Sequence, residues 1–213
     1  MNVIKRVFRK VQESLPDTRL SDELLVVTPL EHVLRAFMFE ASMEDDTDYL
    51  LWSFVSPLYS PEKYLYLSES DGRANAQPFH ITTKNIDEVA ERALKVIKNG
   101  DLEYFRGLRG PDNFLQDVDS SRPINPGPYF STRVDRALTH YMLGNIPECV
   151  RILEEAVAKN NFPYAPESIE IASFLEDLRT NPAKAARKIE SWERENIKSL
   201  GISDTIVDAD QKK

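Results

Sequence analysis

The 213-residue sequence contains a single cysteine, Cys149, so the chain cannot form an internal disulfide bond. A chain without disulfides fits a reducing compartment, and we expect a cytoplasmic protein. The sequence also lacks an apolar run of about 18 residues, the length that a membrane-spanning helix requires. Its first residues, Met1 to Arg6, lack the uninterrupted apolar segment of a secretory signal. These absences predict a protein without a transmembrane segment.

The sequence also lacks the motifs that usually mark an active site. It contains no Gly-x-Ser-x-Gly elbow, no phosphate-binding glycine loop and no dinucleotide-binding glycine motif. His32, His80 and His140 lie far apart in sequence, and none has a partner at the spacing of metal ligands. As a nucleophile, Cys149 would need a base that sequence alone cannot place, so we expect a small core residue. We therefore predict no catalytic residue, no metal site and no cofactor.

The charge of the chain is unevenly distributed. The net charge is −8, but residues 21–105 carry seven basic and sixteen acidic residues, which gives −9. The first 20 residues give +3, and the residues from Arg106 onward give −2. An acidic surface repels phosphate backbones and attracts basic partners. We therefore predict that the partner is another protein, basic in character, and that the chain does not bind nucleic acid.

Two runs, 33–39 and 49–55, are apolar at nearly every position and rich in aromatic and β-branched residues. Successive side chains of a strand point to opposite faces, so these runs predict strands that are covered on both faces. The polar connector from Ala41 to Asp48 favours a hairpin, and a pair of buried helices is the alternative. Further strands are predicted at 23–27, 63–68 and 78–82.

The connector of this hairpin is dense in carboxylates, namely Glu44, Asp45, Asp46 and Asp48. Dense carboxylates suggest a Ca²⁺ site, because this ion takes about six to eight oxygen ligands. The sequence lacks the glycine and the glutamate that a calcium-binding loop carries at fixed later positions. We therefore predict a solvated acidic loop and name its four carboxylates as candidates for binding a basic partner.

Two amphipathic helices are predicted to cover the sheet. The first has an apolar stripe of Ile4, Val7, Phe8, Val11 and Leu15 opposite a basic face of Lys5, Arg6, Arg9 and Lys10. A basic amphipathic helix can lie on an anionic membrane, but we favour packing on the sheet. The second helix is predicted to begin after a cap at Asn85 and to end at Gly100.

A Pro-rich stretch, 106–128, is predicted to be a linker, because proline and glycine interrupt regular structure. At its start, Arg106 and Arg109 alternate with glycines. Such a loop can hold an anion through arginine side chains and backbone N–H groups together. We name these two arginines as a candidate anion-binding loop, and an ordinary surface loop is the alternative.

The sequence is predicted to be helical over 129–203, with a frayed polar tail at 204–213. Residues 131–160 resemble one tetratricopeptide-type helical hairpin. Ala137, Leu143-Gly144-Asn145, Leu153 and Ala156 fall at the spacings that this motif uses for close helix packing. Cys149 stands where the motif prefers alanine, and His140 replaces its usual tyrosine. The resemblance implies a helical hairpin of a kind used for protein docking.

These patterns together predict an α+β fold. A mainly antiparallel sheet with covering helices occupies 1–105, and an all-helical unit follows the linker. The acidic sheet region and the helical hairpin favour a non-catalytic protein–protein interaction protein of the immunity or adaptor type. The alternative is a small hydrolase or transferase with a site at the junction of the two units, using His80 or His140 with Arg106 and Arg109.

Overall fold

The chain divides into one unit built around a sheet and one unit built of helices. The structure is a computed structural model that describes residues 2–42, 46–61, 77–119, 130–159 and 164–202, with the backbone alone at 117–119 and 130–132. The sheet unit draws its described residues from 1–56, 66–109 and 200–213, and the helical unit draws them from 57–65 and 110–199. The predicted α+β fold is confirmed.

Among the described residues, the sheet unit has a five-stranded antiparallel sheet whose strands follow the order of the sequence. They are β1 (Thr18–Ser21), β2 (Leu24–Val27), β3 (Val33–Ala41), β4 (Asp48–Pro57) and β5 (Phe79–His80). Four of these strands confirm predictions, and the alternative of two buried helices is wrong. β1 was not predicted, because its four residues show no clear alternation of apolar and polar side chains. The strand predicted at 63–68 lies outside the described residues.

Two helices, α1 (Val3–Glu13) and α2 (Ile86–Asn99), share a hydrophobic core with the sheet. The apolar stripe of α1 is buried, and the ring of Phe8 stacks on that of Phe39 with 5.0 Å between their centroids. Packing on the sheet is therefore confirmed for α1, and its apolar stripe is not free to enter a membrane surface. On the basic face, Lys5 pairs with Asp22, and Lys10 pairs with Asp87 at 2.5 Å.

The helical unit contains α4 (Gly110–Asp119), α5 (Phe130–Met142), α6 (Ile146–Ala158), α7 (Pro166–Thr180) and α8 (Pro182–Ser199). Helix α8 begins at Pro182, and the side chain of Asn181 before it accepts from Lys184 N at 3.2 Å. The pairing of α5 with α6 turns at Gly144, which has a φ of +76°. The tetratricopeptide resemblance of this pair stays a prediction.

Part of the stretch predicted as a linker is helical instead. Arg106 belongs to α3 (Leu102–Gly107), and residues 110–119 form α4. Proline is compatible with the first turn of a helix, where its missing N–H group would have no partner in any case. Pro111 therefore opens α4, although the composition of the stretch favoured a loop. The remainder of the predicted linker, 120–128, lies outside the described residues.

Candidate functional site

The turn between β3 and β4 presents carboxylates to solvent. Ser42 N donates to Asp48 O at 2.7 Å and closes the hairpin. Glu40 and Asp46 are exposed, and the side chain of Asp48 is 33% exposed. We call Glu40, Asp46 and Asp48 the acidic hairpin end. The other two carboxylates of the predicted acidic loop, Glu44 and Asp45, lie outside the described residues.

The register of β4 and β5 brings His80 to the acidic hairpin end. Asp48 is directly opposite His80 in the antiparallel pair, which places their side chains on the same face. His80 Nδ1 lies 3.0 Å from Asp48 Oδ1 and 3.1 Å from Thr47 Oγ1. The imidazole is 61% exposed, so this pair remains in contact with solvent.

The geometry of this cluster differs from that of a catalytic triad. In a triad the nucleophile and the carboxylate bind opposite ring nitrogens, so that a proton passes from one partner through the imidazole. Here Thr47 and Asp48 both contact Nδ1 of His80. The arrangement orients the imidazole through a carboxylate but does not connect it to a nucleophile. It fits a charged surface better than a site of nucleophilic catalysis.

Several arginines of the sheet unit donate to the protein's own backbone. Arg35 is 1% exposed, and its Nη1 donates to Phe105 O at 3.0 Å. Arg92 donates to Pro78 O at 3.1 Å and lies 4.1 Å from the centroid of the Phe79 ring. The buried Arg35 therefore cannot contact an external partner, and Arg92 is held against Pro78 and Phe79.

Arg106 holds the protein's own carboxylates, contrary to the candidate anion-binding loop. Its Nε donates to Asp17 Oδ2 at 2.6 Å and its Nη2 to Asp17 Oδ1 at 2.9 Å, while Nη1 pairs with Glu103. Two carboxylates neutralise one guanidinium, so Arg106 is a poor binder of an external anion. Arg109 is exposed, and its Nε donates to Arg106 O at 3.3 Å.

The three remaining candidate residues, two histidines and the cysteine, differ in their surroundings. His32 is exposed in the turn before β3 and has a φ of +67°. His140 is half-buried on α5, and its Nε2 finds no hydrogen-bond partner in the described part of the chain. Cys149 is buried on α6, and burial raises the pKa of its thiol to about 12. Few thiolates form at neutral pH with such a pKa, so Cys149 is unsuited to nucleophilic catalysis.

A second group of polar residues lies inside the helical unit and was not predicted from sequence. Tyr59 follows β4 and is fully buried among apolar side chains of α5 to α8. Its hydroxyl lies 2.8 Å from Thr139 Oγ1, which in turn donates to Asp135 O at 2.6 Å. Because a threonine hydroxyl has one hydrogen, Tyr59 donates to Thr139. We call Tyr59, Ser60, Asp135, Thr139 and Asn196 the Tyr59 cluster.

Asn196 and Asp135 complete this cluster. Asn196 Nδ2 donates to Leu58 O at 2.8 Å and to Ser60 O at 2.7 Å, which uses both hydrogens of the amide. Asp135 Oδ1 and Ser60 Oγ are buried, and neither finds a hydrogen bond of standard geometry within the described ranges. Burial raises the pKa of Asp135 to about 7, and the neighbouring Ser60 hydroxyl lowers it in part.

The described residues include neither a metal-binding group nor a membrane-spanning helix. Within the ranges given above, no three His, Cys, Asp or Glu side chains are grouped so that they could hold a metal ion. None of the described helices is both long enough and apolar enough to cross a membrane. Neither the acidic hairpin end nor the Tyr59 cluster therefore has the donor set of a metal centre.

No protein-family model, curated protein or solved structure matches this chain.

Proposed function

We propose that this chain is a non-catalytic protein–protein interaction protein whose acidic hairpin end binds a basic protein. The observation that carries the proposal is the exposure of Glu40, Asp46 and Asp48 on one hairpin while Arg35 and Arg92 donate to backbone carbonyls. Exposed charge of one sign attracts a partner of opposite charge over about one Debye length.

Two further observations support an interaction protein over an enzyme. The Asp48–His80 pair lacks the geometry of a nucleophilic relay, and the single thiol of Cys149 is buried. Helix pairs such as α5 and α6 are commonly used as docking scaffolds, and the tetratricopeptide resemblance agrees with such a role. An immunity or adaptor protein, which neutralises or recruits a basic partner, would need only a presented surface.

The test is affinity capture from native lysate with the full chain as bait, at about 0.1 M and about 1 M salt. The Debye length falls from about 10 Å to about 3 Å between these concentrations, so contacts between exposed charges weaken strongly. We expect a basic protein that is retained at low salt and released at high salt. A captured protein that is acidic, or that stays bound at high salt, would contradict the proposal.

A triple variant localises the binding surface. Glu40→Gln, Asp46→Asn and Asp48→Asn together remove three charges from the acidic hairpin end, and we expect at least about tenfold weaker capture. The matched control is Glu31→Gln, Glu88→Gln and Glu91→Gln, which removes three exposed charges elsewhere on the sheet unit. The control variant should capture the partner as the wild type does. Equal loss in both variants would mean that net charge, not the hairpin, decides binding.

A further inference from the structure

The segment Leu58–Pro61 is held on the helical unit like a bound extended peptide. All four of its residues are buried. One amide of α8, Asn196 Nδ2, holds two alternate carbonyls of the segment, and the Tyr59 ring occupies the apolar core between the helices. Backbone carbonyls held by one side chain, with an aromatic residue in a socket, are features of peptide recognition.

The side of this segment that faces α5 is polar and incompletely paired. Ser60 is 3% exposed, and its hydroxyl lies beside the carboxyl of Asp135, whose Oδ1 is buried as well. The ionisable groups that act on Tyr59 are Asp135 of α5 and Glu193 of α8, and Arg133 and Arg136 are neighbours of Asp135 along α5. Burial is the main cause that raises the pKa of Tyr59, and the charges of Asp135 and Glu193 raise it further.

We propose that Leu58–Pro61 is a latch on the helical unit, closed while Asp135 keeps its proton and released when that proton is lost. A neutral carboxyl carries no charge at this buried place, where Asp135 Oδ1 finds no hydrogen-bond partner among the residues described. A carboxylate at the same place is a buried charge, and opening of the latch returns it to water. This inference is independent of the acidic hairpin end.

The direction of the pH effect follows from the folded carboxyl. Burial raises the pKa of Asp135 to about 7, above its ordinary value of about 4. The closed latch therefore binds the proton more tightly than the open latch does. The proton on Asp135 stabilises the closed latch fully below about pH 4, and this stabilisation is lost as the pH rises through about 7. The latch is predicted to open more often above neutral pH.

Amide hydrogen exchange of the full chain measures this opening. The protection factor of Leu58, Tyr59 and Ser60, corrected for intrinsic exchange, is compared at about pH 5.5 and about pH 8.5. The pKa of Asp135 is about 7 when the latch is closed and about 4 when it is open. We therefore expect the protection factor to fall about thirtyfold from about pH 5.5 to about pH 8.5. The amides of α1, in the sheet unit, provide the internal control and should show no such fall. An equal fall throughout α5 to α8 would overturn the proposal, because it would report global unfolding.

Two variants test the assignment to Asp135. In Asp135→Asn the pH dependence of latch protection should disappear, whereas in the control Glu176→Gln, an exposed acid of α7, it should remain. A thirtyfold fall that persists in Asp135→Asn overturns the proposal. If Asp135→Asn does not fold, Ser60→Ala decides. The Ser60 hydroxyl lowers the pKa of Asp135, so Ser60→Ala should shift the loss of amide protection to higher pH. A pH profile of protection that is unchanged from the wild type overturns the proposal.

Discussion

Arg35 of β3 reaches the end of α3, where its Nη1 donates to the carbonyl of Phe105 at 3.0 Å. The same nitrogen donates to Leu108 O at 2.9 Å, so one buried guanidinium satisfies carbonyls at the C-terminal end of the helix. The last carbonyls of a helix carry partial negative charge, which favours a cation at this place. Arg35 thus fastens α3 to the sheet.

Replacement of Arg35 by Met should destabilise the sheet unit. Methionine fills much of the space of the arginine stem, but the carbonyls of Phe105 and Leu108 would stay buried without a donor. Each buried group left unpaired costs about 1–3 kcal/mol, so we expect a loss of at least about 2 kcal/mol. Urea unfolding of Arg35→Met and of Arg9→Met, an exposed control on α1, measures this. Equal stability of the two variants would show that the buried guanidinium is dispensable.

The pair of Asp17 and Arg106 should make the free energy of unfolding depend on pH in the acid range. The hydrogen bonds from Arg106 hold the pKa of Asp17 below its ordinary value of 3.8. A group whose pKa is lowered by folding stabilises the folded protein at pH values above its unfolded pKa. This stabilisation is lost as the pH falls through the pKa of the folded state. Both side chains are about one-third exposed, at 31% and 36%, so solvent screening limits the effect to about 1 kcal/mol.

The variant Asp17→Asn tests this pair. At pH 7 it should be about 1 kcal/mol less stable than the wild type, and at a pH well below 3.8 the two proteins should converge. Asp46→Asn, an exposed control, should match the wild type at both pH values. A difference between Asp17→Asn and the wild type that is the same at neutral and acid pH would exclude the ionic explanation.

The buried thiol of Cys149 should be inert in the folded protein. Its pKa of about 12 leaves little thiolate at pH 8, and the α5–α6 core blocks access. We expect reaction with a disulfide reagent to be at least about 100-fold slower in the native state than in urea. Cys149→Ala should cost only about 1 kcal/mol, because it removes a single buried sulfur atom and leaves a small cavity. Rapid native reaction would contradict the placement of Cys149 in the core.

The hydroxyl of Tyr59 should contribute about 1 kcal/mol to the helical unit. Tyr59→Phe removes the hydrogen bond to Thr139 but leaves the ring in its socket, and Thr139 still donates to Asp135 O. Tyr164→Phe is the matched control, since Tyr164 is 90% exposed and its substitution should leave stability unchanged. Thermal unfolding of both variants measures the difference. A stable Tyr59→Phe would show that the buried hydrogen bond has no net value.

Periodicity predicted most elements of the fold correctly. The apolar runs at 33–39 and 49–55 became β3 and β4, and the stripe of α1 is buried as its spacing requires. These features are local, because each follows from residues a few positions apart. The prediction of a linker is wrong at α4, because Gly110 and Pro111 are common in loops, whereas proline is also compatible with a first helical turn.

The candidate sites depend on pairings that sequence patterns do not contain. His80 meets Asp48 only through the register of β4 and β5. Asp17 and Arg106 are 89 residues apart, and Asn196 binds the carbonyl of Leu58 from 138 residues away. Long-range contacts of this kind are fixed by tertiary packing, so a helix period or a strand alternation gives no signal for them. Around Tyr59 the sequence shows only the flanking prolines Pro57 and Pro61, which give no sign of these contacts.

The most direct test of the interaction proposal is to map the surface that a captured basic partner covers. Amide hydrogen exchange of the full chain is measured with and without that partner at low salt. The proposal predicts slower exchange in peptides that contain Glu40, Asp46, Asp48 and His80, and no change in these peptides for the hairpin triple variant. Slower exchange confined to α5 to α8 would contradict the acidic hairpin end as the binding surface.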